Sequence, residues 1–201
     1  MVINEIKVGI VQTRCYILSR EDGQECIVID PGAEAERIRK AAGDRKIAAI
    51  LLTHGHFDHI GAVRGLANAE GTADGAEGTA EKAAATKIVI HELDAPMLGD
   101  PDLNAGMRLL RRAITAPEAT DLVREGDELE LAGLKVKVLH TPGHTPGSVC
   151  YLIEGELFTG DTLFDCGWGR TDLPGGSEEQ MRASLRRLMP MARTMPVHAG
   201  H

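Results

Sequence analysis

Between Thr53 and Ile60 the chain reads Thr-His-Gly-His-Phe-Asp-His-Ile, with His54, His56, Asp58 and His59 falling within six residues, directly behind the apolar run Ile47 to Leu52. Imidazole nitrogens and carboxylate oxygens are what proteins offer to divalent ions, and spacing decides which of them can share one. His54 and His56 are two residues apart, so in an extended loop they point the same way and can hold a single ion. Asp58 and His59 come where Ile60, Val63, Leu66 and Ala67 begin a helical pattern. The chain turns there, and both side chains can aim at a second ion beside the first. A lone histidine or aspartate is usually a solvated loop residue; this order of groups at a strand end with glycines at the bends is a metal-site pattern.

Three further candidates each follow a short strand and a glycine. His144 sits in Thr141-Pro142-Gly143-His144-Thr145-Pro146-Gly147, Asp161 in Thr159-Gly160-Asp161-Thr162, and His201 after Val197-His198-Ala199-Gly200. Together with the first cluster they make two sets, His54/His56/His144 and Asp58/His59/His201, with Asp161 able to bridge them. Asp30, in Asp30-Pro31-Gly32, is either a turn residue or a carboxylate that fixes a ligating histidine. His91, His140 and His198 match no ligand position and are expected to be packed or capped. Cys166 lies in the loop Asp165-Cys166-Gly167-Trp168-Gly169, five residues past Asp161, where it is either incidental or lines the site.

The elements that must position these groups are legible in outline. Ile47 to Leu52 is too short for a globular helix and apolar on both faces, which predicts a buried central strand. Ile3 to Val8, Arg14 to Ser19 and Glu25 to Ile29 form a meander with a hairpin-like turn over Glu21 to Gln24. Glu34 to Ala42 reads as a helix with Gly43 at its end, Lys87 to Ile90 as a strand, and Glu92 to Leu98 as a short helix. The stripe Met107, Leu109, Leu110 and Ile114, between Arg108, Arg111 and Arg112, predicts a packed helix. A second strand series runs through Leu122 to Val123, Glu128 to Leu131, Leu134 to Leu139, Val149 to Ile153 and Glu156 to Phe158. Ser177-Glu178-Glu179-Gln180 is a capping box, and Met181, Leu185 and Leu188 form one apolar face on the helix it opens. Two strand series, each followed by helix, predict two sheets covered by helices.

Composition sets the bounds. The 201 residues suit one domain, 1–201, in which Ala67 to Ala85, rich in Ala, Gly, Glu and Thr, reads as a low-complexity surface insertion. With 22 Lys and Arg against 30 Asp and Glu, the net charge is -8 and no basic field invites nucleic acid. The start of the chain has no signal-like region, and no run is long enough to span a bilayer, so a soluble cytoplasmic protein without a membrane partner is expected. Four irregularly spaced cysteines make no disulfide framework, and reduced thiols are expected.

Thr53 to His59, the Thr141 to Ser148 stretch, the Thr-Gly-Asp turn and the Gly-His at 200–201 resemble the metallo-β-lactamase fold superfamily over nearly the whole chain. Gly169 to Gly176 is similar to its small glyoxalase II-like, hydroxyacylglutathione hydrolase-like, members. The resemblance implies an α/β fold, a four-layer αβ/βα sandwich of two mixed sheets flanked by helices, with a dinuclear site between the sheets. Its ligands fall on His54, His56, Asp58, His59, His144, Asp161 and His201. Two divalent ions are implied, zinc first, with iron and manganese also compatible. The β-lactamases place cysteine or no bridging carboxylate at Asp161, whereas thioesterases, lactonases, phosphodiesterases and persulfide dioxygenases keep Asp. The helical C-terminal domain that binds glutathione in larger glyoxalase II enzymes has no counterpart here.

The expected activity is hydrolysis of a small-molecule thioester of hydroxyacylglutathione type. Two ions acting on one water make a hydroxide at neutral pH, and Asp58 would orient it or pass a proton to the departing thiolate. Rival readings are a lactonase or other ester hydrolase on the same site, a mononuclear iron persulfide dioxygenase using His54, His144 and Asp161, and a metal-stabilised binding protein without turnover. Arg170 and Asp172 either bind an anionic substrate tail or form a loop salt bridge. His201 ends the chain, so the second ion is expected to be the weaker one.

Overall fold

The N-terminal meander forms as the alternation requires. In the computed structural model, which describes residues 1–67 and 85–201, β1 (Val2–Val8), β2 (Thr13–Ser19) and β3 (Glu25–Ile29) pair antiparallel in sequence order. Helix α1 (Ala35–Ala42) crosses over to β4 (Lys46–Leu51), which lies parallel to β3. Two short helices, α2 (Phe57–Ile60) and α3 (Val63–Ala67), follow the first ligand loop. The Ala67 to Ala85 insertion lies, apart from its two end residues, outside the described residues. The chain then enters β5 (Lys87–His91), a 3₁₀ turn over Ala95–Leu98, α4 (Gly106–Leu110) and β6 (Asp121–Val123). The second half contributes β7 (Glu128–Leu131), β8 (Leu134–His140), β9 (Val149–Ile153), β10 (Glu156–Gly160), α5 (Glu178–Ala192) and β11 (Val197–Ala199).

These strands make a six-stranded sheet in the order β1-β2-β3-β4-β5-β6 and a five-stranded sheet in the order β11-β10-β9-β8-β7. Both are mixed: β3 to β6 run parallel in the first, and β10 pairs parallel with β11 in the otherwise antiparallel second. The apolar run before the ligand loop explains why β4 is central. Ala49 and Leu51 face the second sheet, in a core with Ile27, Ile29, Val138 and Tyr151, while Ile47 and Ile50 face α1 and α3. Leu139, Cys150 and Leu157 turn to the other face of the second sheet, where Leu188 of α5 covers them. The layers are therefore helix, sheet, sheet, helix, as an αβ/βα sandwich requires. Both tyrosines of the chain cross the seam between the sheets. The Tyr16 hydroxyl donates to the Ala199 carbonyl at 2.7 Å, and that of Tyr151 to the Leu52 carbonyl at 2.8 Å.

Three expectations need correction. Leu122 and Val123 belong to the first sheet, as β6 alongside β5, and not to the second strand series. The stripe Met107 to Ile114 is not one helix, because α4 ends at Leu110 where Arg111 takes φ 56°. The Asn104 amide donates to the carbonyls of Met97 and Ile114 and pins the segment as a loop, which leaves Leu109 46% exposed. Glu92 to Leu98 narrows to the 3₁₀ turn, because Asp94 faces inward ahead of it. The capping box does cap α5, with Ser177 Oγ accepting from the Gln180 amide at 3.4 Å. Its buried face is Met181, Ser184 and Leu188, with Leu185 only half-buried. Among the described residues no helix is long and apolar enough to cross a membrane.

Candidate metal centre

The parallel strands β3, β4 and β5 all end at the same rim of the first sheet, and the turns after β8 and β10 come to that rim from the second. Strand ends are where the chain leaves its ladder and side chains become free to converge. His54, His56, Asp58 and His59 arrive from the β4 end, His144 from the turn after β8, Asp161 from the end of β10, and His201 from just past β11. The structure brings all seven together. Their donor atoms fall into three overlapping groups, His54/His56/His144, His54/His59/Asp161 and Asp58/His59/His201, each spanning no more than 4.8 Å. The Asp161 carboxylate lies between the two sets predicted from sequence, 3.5 Å from His144 Nε2, 3.4 Å from His59 Nε2 and 3.6 Å from His201 Nε2. Asp58 Oδ2 is 3.3 Å from His201 Nε2.

The buried atoms at this rim want a cation. His54 Nε2, His56 Nε2, His59 Nε2 and Asp161 Oδ1 are shielded from solvent without a hydrogen-bond partner in the protein. A buried polar atom left so costs about 1–3 kcal/mol, so a cluster of them signals a missing ligand. His56 Nδ1 and His144 Nε2 stand 2.8 Å apart, a separation that two lone pairs tolerate only with a proton or a metal ion between them. The donor set, imidazoles and carboxylates without a thiolate, fits zinc, iron or manganese.

Electrostatics sorts the groups into two kinds. Burial first, and then the neighbouring histidines, hold His54 well below the usual imidazole range and bring His56 down to about 3. Both rings are therefore neutral at physiological pH, with lone pairs available. Burial acts the same way on His59 but is outweighed by Asp30, Asp58 and Asp161, which push it well up. At His201 burial is again the largest single influence and lowers it, but the hydrogen bond to Asp58 and the charges of Asp161 and Asp58 together raise it. Asp58 and Asp161 are lowered by these same histidines against the opposing effect of burial. In the protein alone, a proton on His59 stands among these carboxylates in the role that a metal cation would take.

Ring orientation is fixed from behind. Thr53 Oγ1 lies 3.1 Å from His54 Nδ1, the Arg170 carbonyl 2.7 Å from His144 Nδ1, and the Val11 carbonyl 3.2 Å from His201 Nδ1. Asp30 Oδ2 is 2.9 Å from His59 Nδ1, although the ring N–H does not point straight at it, so this contact is as much Coulombic as directional. Asp30 also accepts from the Thr53 amide at 2.8 Å and the Thr53 hydroxyl at 2.7 Å. Of its two sequence readings, the structure supports the carboxylate that fixes a histidine.

Arg170 and Asp172 pair with each other through two contacts of 2.6 and 2.7 Å at an exposed loop, so what Arg170 presents to His144 is its carbonyl. Cys166 is exposed and belongs to none of the ligand groups. His91 and His140 stack at 4.2 Å, and His198 stacks on Phe158 while pairing with Glu156, so all three are packed as expected. Beside Asp58 lies a recess of about 180 Å³, walled by Val8, Val11, Phe57, Leu110 and Ile114. Sequence reasoning missed Asp94, a buried carboxylate whose acceptor role no local pattern announces. It also missed the carbonyls of Arg170 and Val11, since backbone atoms leave no residue-type signal.

Comparison with known proteins agrees with this geometry. A family model described as the metallo-beta-lactamase superfamily matches residues 8–201. The hydroxyacylglutathione hydrolase GloC of Haemophilus influenzae is 36% identical over 209 residues, covering 100% of this chain and 91% of that protein. Among solved structures, the BLEG-1 B3 metallo-beta-lactamase superposes with a TM-score of 0.87 at 35% identity, over 100% of this chain and 91% of that one. TTHA1623, crystallised in a di-iron-bound form, superposes with a TM-score of 0.80 at 33% identity, over 98% and 91%.

Proposed function

The chain belongs to the metallo-beta-lactamase superfamily, and from that membership we propose that it is a dinuclear metal-dependent hydrolase of a small-molecule thioester of hydroxyacylglutathione type. The observation that carries the reading is Asp161, a carboxylate within 3.6 Å of histidines from both ligand sets. A shared carboxylate between two sets suits two ions. His54, His56 and His144 would hold one, Asp58, His59 and His201 the other, and Asp161 both, with zinc proposed and iron the nearest rival given the di-iron relative.

Bound ions would supply a Lewis acid for the scissile carbonyl and a water of lowered pKa. The chain's own residues supply the rest. Asp58 is held ionised and receives a hydrogen bond from Thr13 Oγ1 at 3.3 Å, which fixes its carboxylate. In that state it accepts the proton of the attacking water as the C–O bond forms, and returns it to the thiolate as the C–S bond breaks. The apolar recess beside Asp58 suits a small acyl group, and burial of the His54, His56, His59 and His144 rings keeps bulk water from them. A single domain in a reducing cytoplasm is consistent with four free cysteines.

A second reading, β-lactam hydrolysis, is favoured by the likeness to BLEG-1, although Asp161 argues for the thioesterase side. The test is kcat/KM of metal-loaded protein on S-lactoylglutathione, a homoserine lactone, a chromogenic cephalosporin and glutathione persulfide. S-lactoylglutathione is expected to be the best substrate, with activity lost to a chelator. A cephalosporin turned over faster would overturn the assignment, and persulfide oxidation with a single iron would move it to the dioxygenases.

A further inference from the structure

Asp94 is fully buried, and among the described residues no lysine or arginine side chain pairs with it. Burying a carboxylate costs several kcal/mol unless its oxygens are satisfied, so three donors must be doing that here. Its Oδ2 accepts from the Gly55 amide at 3.1 Å and the Thr145 hydroxyl at 2.6 Å, and its Oδ1 from the Gly147 amide at 2.6 Å. Gly55 lies between His54 and His56; Thr145 adjoins His144. One carboxylate, standing on the segment after β5, therefore ties together the two loops that carry His54, His56 and His144.

The close approach is built into the backbone. A Cβ on Gly147 would fall 2.6 Å from Asp94 Oδ1 and 2.7 Å from the Asp94 amide nitrogen, so only glycine lets that turn reach the carboxylate. A Cβ on Gly55 would meet Met97 Cβ at 2.6 Å, so the other loop is pressed onto the same segment. Thr145 Oγ1 lies 2.6 Å from Ser148 Oγ, which itself accepts from the Thr145 amide at 3.0 Å, so the His144 turn is braced internally before Asp94 grips it.

We propose that Asp94 is the positioning residue of the first ligand set, fixing the separation of the His54/His56 loop from the His144 turn and so the affinity for the ion they share. This rests on the metal-dependent reading above. An amide cannot replace it, because the NH₂ of Asn must face either the Gly147 amide or the Gly55 and Thr145 donors. Supporting partners behind metal ligands are worth about 10–100-fold in affinity.

The test is a competition between zinc-loaded full-length protein and a chromophoric chelator, with bound metal counted by mass spectrometry. Wild type is expected to release zinc in two steps. The tighter step belongs to the first set, whose three histidines are all buried, whereas the His201 side chain is 27% exposed. Asp58→Asn, altered in the other set, marks the weaker step. Asp94→Asn is expected to weaken the tighter step by about 10–100-fold and leave the weaker one in place. Thr145→Val, which removes one donor, is expected to shift the same step by less, and carries the test if Asp94→Asn does not fold. A purely structural role would lower the melting temperature without moving one step selectively. Wild type with two zinc ions, and variants whose curves overlay it or lose both ions equally, would overturn the inference alone. Wild type holding neither zinc, iron nor manganese would overturn the metal-dependent reading, and the inference with it.

Discussion

Replacing Asp30 by Asn probes how one buried carboxylate sets the tautomers of two histidines. Asp30 has φ 50°, a left-handed conformation that Asn tolerates well, so the backbone cost is small. In the native arrangement Asp30 Oδ2 takes the Thr53 hydroxyl proton, which leaves Thr53 Oγ1 free to accept from His54 Nδ1 and keeps the His54 Nε2 lone pair facing the site. The same Oδ2 lies 2.9 Å from His59 Nδ1 and favours the proton there, so the Nε2 proton is the one His59 gives up when it binds metal. An Asn can retain the bond from the Thr53 amide, but its NH₂ donates where Oδ2 accepted. The Thr53 hydroxyl then turns to donate to His54 Nδ1, and His59 Nδ1 loses its acceptor. His54 is driven toward the tautomer whose proton sits on Nε2, the nitrogen needed for metal, and His59 loses the acceptor that keeps its remaining proton on Nδ1 when Nε2 binds. Each misdirected ligand is worth about 10–100-fold in affinity, or about 1.4–2.7 kcal/mol per ion. Calorimetric zinc titration measures the loss, and imidazole ¹⁵N shifts of the metal-free protein report the His54 tautomer directly. Thr53→Val, which cuts only the relay to His54, is expected to weaken one ion alone. Wild-type affinity for both ions in Asp30→Asn, with unchanged nitrogen shifts, would refute the reasoning.

Asp58→Asn is expected to keep the fold and lower kcat/KM on the thioester by on the order of 10²-fold or more, since it removes a proton acceptor while keeping its shape; circular dichroism and a steady-state assay check both halves. Cys166 is the exposed thiol while Cys15, Cys26 and Cys150 are buried, so brief iodoacetamide treatment of native protein should add a single label. If that loop lines the site, labelling slows turnover and Cys166→Ala abolishes the sensitivity; an equally sensitive Cys166→Ala places the effect elsewhere. Burial, with His140 next, brings His91 down to about 4 from the ordinary 6.5. Between those values the unfolded chain binds the proton and the folded one does not, so stability should fall as pH drops from about 6.5 to about 4, by up to about 3 kcal/mol. Urea melts of His91→Gln should show a flatter pH slope over that window; an unchanged slope would exclude His91 as its source.

Much of this site is legible because its signals are local. All the ligand candidates but Asp58 and His59 stand beside a glycine just past an apolar run, and Ile47 to Leu52 carries its double-faced burial in its own composition. What escapes is whatever depends on distant partners. Asp94 looks like the polar start of a short helix, and its meaning comes from Gly55 and Gly147, 39 and 53 residues away. Leu122 and Val123 make a three-residue strand whose side chains hold no information about which sheet edge it joins. The Met107 to Ile114 stripe has helical spacing, but a left-handed residue at Arg111 and the Asn104 bonds divert the chain before the pattern can be used.

The two tyrosines crossing the seam bear on the mechanics of the sandwich. An apolar layer between two sheets resists separation strongly but resists sliding weakly, because dispersion and water exclusion have no direction along the layer. Hydrogen bonds do have direction, and here the pins run opposite ways. Tyr16 on the first sheet reaches the carbonyl of Ala199, two residues before His201. Tyr151 on the second reaches the carbonyl of Leu52, two residues before His54. Shear of one sheet past the other would carry the halves of the ligand constellation apart while leaving each sheet whole, and the pins oppose that displacement beside the groups it would separate. The phenolic oxygens thus act as dowels in a sliding joint, holding the relative position of the two layers beside the ligands that depend on it.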